Sequence, residues 1–208
     1  MILGYRISKK FGGMVKYFRK LVGKKCYLSP VNLDDVEKYT EWINDIDTSL
    51  NVCFLHQVIN VNKERSMLQS LTQNNKIFGI VEKKTDKLIG NCGLHDISYI
   101  DRKCEFGIFI GEKDRRNEGF GTEATKLILD FAFNALNLHS VMLRVFSFNK
   151  RAIHIYEKCG FKIIGKRREA RIIGSSKYDV LFMDILVSEY ESIYIESKKE
   201  DVAACLER

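Results

Sequence analysis

The 208 residues contain one proline, one tryptophan and no uninterrupted apolar run of 18 residues. The missing run argues against a membrane-spanning helix. The opening MILGYRISKKFGG lacks the apolar stretch and small-residue cleavage site of a secretory signal. The six cysteines include no CxxC pair, and the four histidines (His56, His95, His139, His154) show no metal-ligand spacing or nucleophile partner, so no chemistry is assigned to them. Reduced thiols, no metal and a cytoplasmic protein are therefore expected. Cys104 and Cys159 read as packing thiols. With 45% hydrophobic and 29% charged residues the chain is a folding, single-core composition rather than a disordered one.

The net charge of +7 is unevenly placed. Residues 1–25 hold Arg6, Lys9, Lys10, Lys16, Arg19, Lys20, Lys24 and Lys25 and no acid, so the remaining body is close to neutral. A basic body with interleaved aromatics is missing, and no nucleic-acid partner is expected. Within the arm, Met14, Tyr17, Phe18 and Leu21 fall at helical spacing, a basic amphipathic pattern suited to an anionic surface. The plain alternatives are a disordered tail, or a start at Met14. Three segments result: a basic extension 1–24, a domain 25–187 and a polar tail 188–208.

Periodicity predicts seven strands and about four helices. The strands are Lys25 to Pro30, Ile77 to Lys83, Leu88 to His95, Lys103 to Ile110, His139 to Phe148, Phe161 to Arg171 and Lys177 to Val187. The first helix runs from Leu33 to Asp45 behind an Asn32 cap, and the second from Lys63 to Gln73 after a loop over 48–60. The third spans Gly119 to Leu136 with Ala124, Leu127, Ile128, Phe131 and Ala135 on one face. The fourth runs from Lys150 to Lys158, stopped by Gly160. The fold class is α+β, a mixed domain with a largely antiparallel sheet.

Between a strand and the third helix lies Arg115-Arg116-Asn117-Glu118-Gly119-Phe120-Gly121-Thr122. Glycines let several backbone N–H groups converge, and the helix dipole adds positive character, a layout that suits a pyrophosphate. A Walker site needs Gly-Lys-Ser/Thr, and no lysine follows Gly121. The dinucleotide pattern G-x-G-x-x-A is met formally by Gly119 to Ala124. It lies far from the strand end at Ile110, lacks the acid about 20 residues on, and leaves too few βα units.

The run Arg116-Asn117-Glu118-Gly119-Phe120-Gly121 fits [QR]-x-x-G-x-[GA], and Asn149 to Phe161 fits N-x-x-A-x-x-x-Y-x-x-x-G-F. With Pro30, Asp35, Trp42 to Asp45, Gly165, Glu169, Gly174, Tyr178-Asp179 and Met183, residues 25–187 resemble the GNAT superfamily, in its ribosomal-protein alanine and spermidine (diamine) N-acetyltransferase branch. The resemblance implies a splayed seven-stranded sheet and acetyl-CoA as co-substrate.

It also implies site residues. Backbone groups of Phe109 and Ile110 would pair with the pantetheine arm. The segment Arg115, Arg116, Asn117, Glu118, Gly119, Phe120, Gly121 and Thr122 would hold the pyrophosphate, and Asn149 and Ala152 would complete the cofactor site. Tyr156 is the candidate acid for the departing thiolate, since the motif puts its hydroxyl beside the sulfur; without the motif it reads as core.

Glu105, on the strand lining the slot, is the candidate base or amine ligand, against a solvated edge charge beside Lys103. Glu37, Glu41 and Asp45 form an acidic ridge on the helix that walls the acceptor site in this family, against an ordinary solvated face. The expected activity is acetyl transfer to a primary amine by direct attack, with spermidine-like polyamines or diamines ahead. The alternatives are a ribosomal-protein α-amino group, an aminoglycoside or amino sugar, and a non-catalytic acyl-CoA-binding regulatory module. Homo-oligomerisation is left open.

Overall fold

The computed structural model describes residues 16–52, 54–192 and 194. The strands are β1 (Leu21–Val22), β2 (Cys26–Pro30), β3 (Lys76–Glu82), β4 (Lys87–Ser98), β5 (Lys103–Ile110), β6 (Ser140–Phe146), β7 (Lys162–Ile173) and β8 (Ser176–Leu186). The helices are α1 (Val36–Asn44), α2 (Ile46–Ser49), α3 (Val61–Asn74), α4 (Phe120–Asp130) and α5 (Lys150–Lys158). The strands form one sheet in the order β1-β2-β3-β4-β5-β6-β8-β7.

Only the β5–β6 pair is parallel, because α4 crosses between the two strands. Their pairing stops at Glu105 and Met142, so the last five residues of β5, Phe106 to Ile110, have no partner on that side. The sheet is thereby split into two halves joined at one end.

The halves are held by two cores on opposite faces, as alternation along each strand requires. On one face Leu143 and Val145 of β6 meet Ala124, Leu127 and Ile128 of α4 and Ile153 of α5. On the other, Val36, Tyr39 and Trp42 of α1 and Leu68 of α3 cover Tyr27, Val81 and Leu88. Leu127 and Ile128 are no more than 1% exposed, and truncating either to alanine would cost about 2–5 kcal/mol.

Trp42 fixes α1 to the end of β5. A Cβ on Gly111 would come within 2.1 Å of its indole, so only glycine allows this approach. Phe109 meets the same indole edge-on.

Several expectations are corrected. Among the described residues the sheet has eight strands and there are five α-helices, not seven and about four. Strand β1 is two residues long and α2 four, too short to show a period. The loop expected over 48–60 begins inside α2. Tyr17 and Phe18 are not helical, because the arm runs extended along β2: Phe18 N–H donates to Ser29 Oγ at 3.0 Å, Tyr17 Oη donates to Asp35, and Lys16 pairs with Asp35 at 2.6 Å. Met14 lies outside the described residues. Asn32 caps the first helix as expected, accepting from Asp34 N–H, but that turn is 3-10 before α1 begins. The helix beginning at α4 ends in a wide π turn, Phe131–Ala135.

Beyond β8, Tyr190 Oη donates to the Lys126 carbonyl, Ser192 Oγ to Asp130 and Tyr194 N–H to Asp130, so residues 190–192 and 194 lie back over α4. No described helix is long and apolar enough to cross a membrane.

Candidate active site

The gap between β5 and β6 opens into a cavity of about 1080 Å³. One mouth is framed by α4 and α5, and the other by α1, α2 and α3.

At the first mouth Gly119 is the N-cap of α4 with φ +86, which an L side chain rarely adopts, and it supplies no side-chain cap. Asn117 is also left-handed, at φ +66. Gly119, Gly121 and Thr122 line the cavity, so the uncapped N–H groups of the first helical turn converge there. A Cβ on Gly121 would reach Ile155 Cδ1 at 3.8 Å and fill space that bare backbone leaves open. The unpaired edge of β5 beyond Glu105 is a ready position for one more extended chain. A diphosphate on a pantetheine-like arm fits both features.

Several charged residues of the lining are paired: Arg144 with Glu105 at 2.7 Å, Arg115 with Glu82 at 3.3 Å and Asp47 with Lys113 at 2.8 Å. Cavity residues up to Ile110 include Asp47, Glu64, Asp96 and Glu105 and no lysine or arginine. From Arg115 onward they include Arg115, Arg116, Arg144, Arg151, Lys158, Arg167 and Arg171 and no carboxylate. The basic set is itself divided. Arg115, Arg116, Arg151 and Lys158 sit about the glycine loop and α5. Arg144 alternates with the buried Leu143 and Val145 and so lies on the α1/α3 face.

Most of the expected residues converge. Glu105, Phe109, Ile110, Arg115, Arg116, Asn117, Gly119, Gly121, Thr122, Asn149, Ala152 and Tyr156 all line the cavity. Tyr156 is 8% exposed, edge-on to Phe106 and Phe161, and burial raises its phenol well above the ordinary value. Asn149 caps α5 through Ala152 N–H.

Arg116 does more structural work than expected. Its Nε donates to Ile110 O at 3.1 Å, and its Nη2 donates to Thr48 Oγ1 at 2.8 Å and Gly111 O at 3.2 Å, tying the end of β5 to α2. Burial and the nearby Arg151 lower its pKa. Glu105 accepts from Arg144 Nε at 2.7 Å, at the apex where the strands part.

Five expected residues are placed elsewhere. Glu118 does not line the cavity; its carbonyl accepts from Lys25 Nζ at 2.6 Å. The Phe120 ring is 4% exposed inside the core, leaving only its backbone at the loop. Glu37 and Glu41 are exposed on α1, outside the cavity wall. Asp45 caps α2 through Thr48 N–H and pairs with Lys113 at 2.8 Å, which holds its carboxyl below the usual range. Helix α1 turns its apolar side to the sheet, so its acids face water.

Other residues come to the site without a sequence signal. His95 is the cross-strand neighbour of Glu105, and burial lowers its pKa, keeping the imidazole neutral near pH 7. Arg171 lies over the Phe146 ring at 4.9 Å, with Nε and Nη2 buried and unpartnered. Glu64 is 2% exposed with Oε2 unpartnered. Only Glu64 had a legible sign, a charge among Met67, Leu68 and Leu71 on one helical stripe. Among the described residues no cluster could hold a metal ion.

Residues 25–162 match the acetyltransferase (GNAT) domain family. The chain belongs to that family. GNAT proteins use acetyl-CoA, and the glycine loop, the open β5 edge and the basic wall fit it. The spermidine N(1)-acetyltransferase of Vibrio cholerae serotype O1 is 39% identical over 111 residues, 53% of this chain and 64% of that relative. An uncharacterized N-acetyltransferase, p20, of Bacillus licheniformis is 25% identical over 177 residues, 82% of this chain and 97% of that one. The match to the first relative thus spans less than two thirds of its length. The crystal structure of spermidine N-acetyltransferase from Vibrio cholerae in complex with CoA and spermine superposes with a TM-score of 0.72 at 27% identity, covering 80% of this chain and 98% of that one.

Proposed function

We propose that this chain transfers the acetyl group of acetyl-CoA to a primary amine, with a small cationic diamine or polyamine such as spermidine as the leading acceptor. The observation that carries this reading is the presence of two complementary features in one cavity: convergent N–H groups of the glycine loop at the α4 mouth, and a buried carboxylate, Glu64, in the wall that α3 forms. A pyrophosphate and an ammonium would each find the opposite charge without crossing the other's site. The names of the relatives point the same way.

When bound, acetyl-CoA supplies a thioester whose carbonyl accepts the amine and whose sulfur leaves as a thiolate. Gly119, Gly121 and Thr122 would bind the diphosphate, with Arg115 and Arg151 beside them. The β5 edge at Phe109 and Ile110 would align the arm, and one of its N–H groups would stabilise negative charge developing on the carbonyl oxygen. Asn149 and Ala152 line the same channel. Arg116 keeps this strand end in place through Ile110 and Gly111.

At the apex, the ammonium would share Glu105 with Arg144, and the neutral His95 beside it can take the proton the amine must lose. Tyr156, kept protonated by burial, delivers a proton to the leaving sulfur. No side chain forms a covalent intermediate in this scheme.

A second reading rests on Arg171. Its two guanidinium nitrogens without a partner among the described residues, in a cavity that Arg144 and Arg167 also line, would suit the carboxylate of a peptide whose α-amino group is acetylated. Release of CoA thiol with spermidine, a diamine, an aminoglycoside and an alanine-start peptide separates the two. Faster turnover of spermidine is expected. A preference for the peptide would overturn the polyamine assignment, and binding of acetyl-CoA without any turnover would overturn catalysis.

A further inference from the structure

The cavity face of α3 consists of Glu64, Met67, Leu68 and Leu71, positions i, i+3, i+4 and i+7 on one stripe. The rise of the helix sets Glu64 about 10 Å from Leu71. The stripe is therefore an apolar track ending in one carboxylate. That carboxylate is 2% exposed, and its Oε2 has no hydrogen-bond partner among the described residues. Tyr39 of α1, which also lines the cavity, carries another buried oxygen with no hydrogen-bond partner among the described residues. Two such atoms on one wall are destabilising on their own, because buried polar groups are almost always satisfied. A ligand that brings donors would satisfy both.

We propose that Glu64 is the subsite for the second, non-reacting ammonium of the acceptor, with Met67, Leu68 and Leu71 along its methylene chain and Tyr39 Oη as a further acceptor. The proposal rests on the reading of the chain as an amine acetyltransferase, and adds that the acceptor carries a second cation separated from the reacting nitrogen by an aliphatic spacer. An aliphatic monoamine has nothing to offer Glu64. A diamine or polyamine gains a charge-assisted hydrogen bond in a poorly solvated place. Glu64 does not touch the reacting atoms, so its contribution appears as discrimination between acceptors.

The experiment compares spermidine with n-butylamine for the wild type and Glu64→Gln, at saturating acetyl-CoA. Loss of one charged partner is expected to lower the ratio of kcat/KM for spermidine to that for n-butylamine at least about tenfold. The ligand-free variant should unfold at the same temperature as the wild type or higher, since an orphaned acid has been neutralised. An unchanged ratio overturns the proposal, whether both rates fall or neither does, and equal falls with a lower unfolding temperature mark a structural role. Calorimetric binding of spermidine needs no turnover and separates the two levels of inference. If the wild type acetylates neither amine, the catalytic reading fails; weaker spermidine binding by Glu64→Gln would still support the subsite, and equal or absent binding would overturn it.

Discussion

The two mouths of the cavity solve opposite recognition problems with different materials. At the α4 mouth the positive field comes largely from backbone: a left-handed glycine, a left-handed asparagine and the open N–H groups of a helix start. At the α3 mouth the negative charge comes from side chains: Glu64, which is buried, and Glu105, which is 20% exposed and paired with Arg144. Backbone dipoles are fixed by the fold and need no neutralising partner when empty. A buried carboxylate without a partner raises the free energy of the empty protein, and its pKa rises to about 7. The anion site is thus preformed at little cost, whereas the cation site holds strain that a ligand can release.

The sharpest break is at the junction of the mouths. Tyr156→Phe should lower kcat by about 10²- to 10⁴-fold while the Kd for acetyl-CoA stays within a few-fold, measured by thiol release and calorimetry. Retained turnover would leave Tyr156 as a core residue.

On the backbone-built side, Gly119→Val forces a β-branched residue into φ +86. It should weaken acetyl-CoA binding about tenfold or more and lower stability by about 1–3 kcal/mol, read by calorimetry and chemical denaturation.

On the side-chain-built side, pH gives the signature. The folded-state pKa of Glu64 lies above its unfolded value of 4.5, so the folded protein holds this proton longer. Its contribution to stability is greatest below pH 4.5, declines as pH rises, and is lost above about 7. The difference in unfolding free energy between wild type and Glu64→Gln should therefore shift against the wild type across that window, by about 1–3 kcal/mol. A flat difference would mean that the carboxyl is solvated.

The smallest effect belongs to the acids that only look like part of the acceptor wall. Glu37→Gln and Glu41→Gln should change the KM for spermidine less than about twofold, because both carboxylates stand in water outside the cavity. A tenfold rise would restore the ridge as a binding element.

Comparing α1 with α3 shows what was legible. Both helices are expected from the sequence, and in the structure Val36, Tyr39, Trp42 and Ile43 of α1 are buried. Charge density alone does not mark a cavity wall: Glu37 and Glu41 are exposed outside the cavity and Asp45 is engaged by Thr48 and Lys113, whereas the solitary Glu64 on the apolar stripe of α3 lines it. Glycine loop and tyrosine motif were found because their chemistry is local: a turn needing positive φ and a helix start are written in adjacent residues. Arg116 was named for the pyrophosphate, yet its hydrogen bonds to Ile110, Gly111 and Thr48 depend on α2, an element too short for periodicity to reveal.

The sequence by itself determined the order of the longer elements, β2 to β8 and α1, α3, α4 and α5, with the cap at Asn32, the glycine loop, the family motifs and the strand carrying Glu105, because each follows from spacing or local backbone preference. Only the tertiary structure decided that β5 and β6 part at Glu105, that Arg144 and His95 stand beside Glu105 and that Glu64 lost its water. Those facts depend on which faces meet across the sheet, and burial and ion pairing are properties of that assembly rather than of any segment.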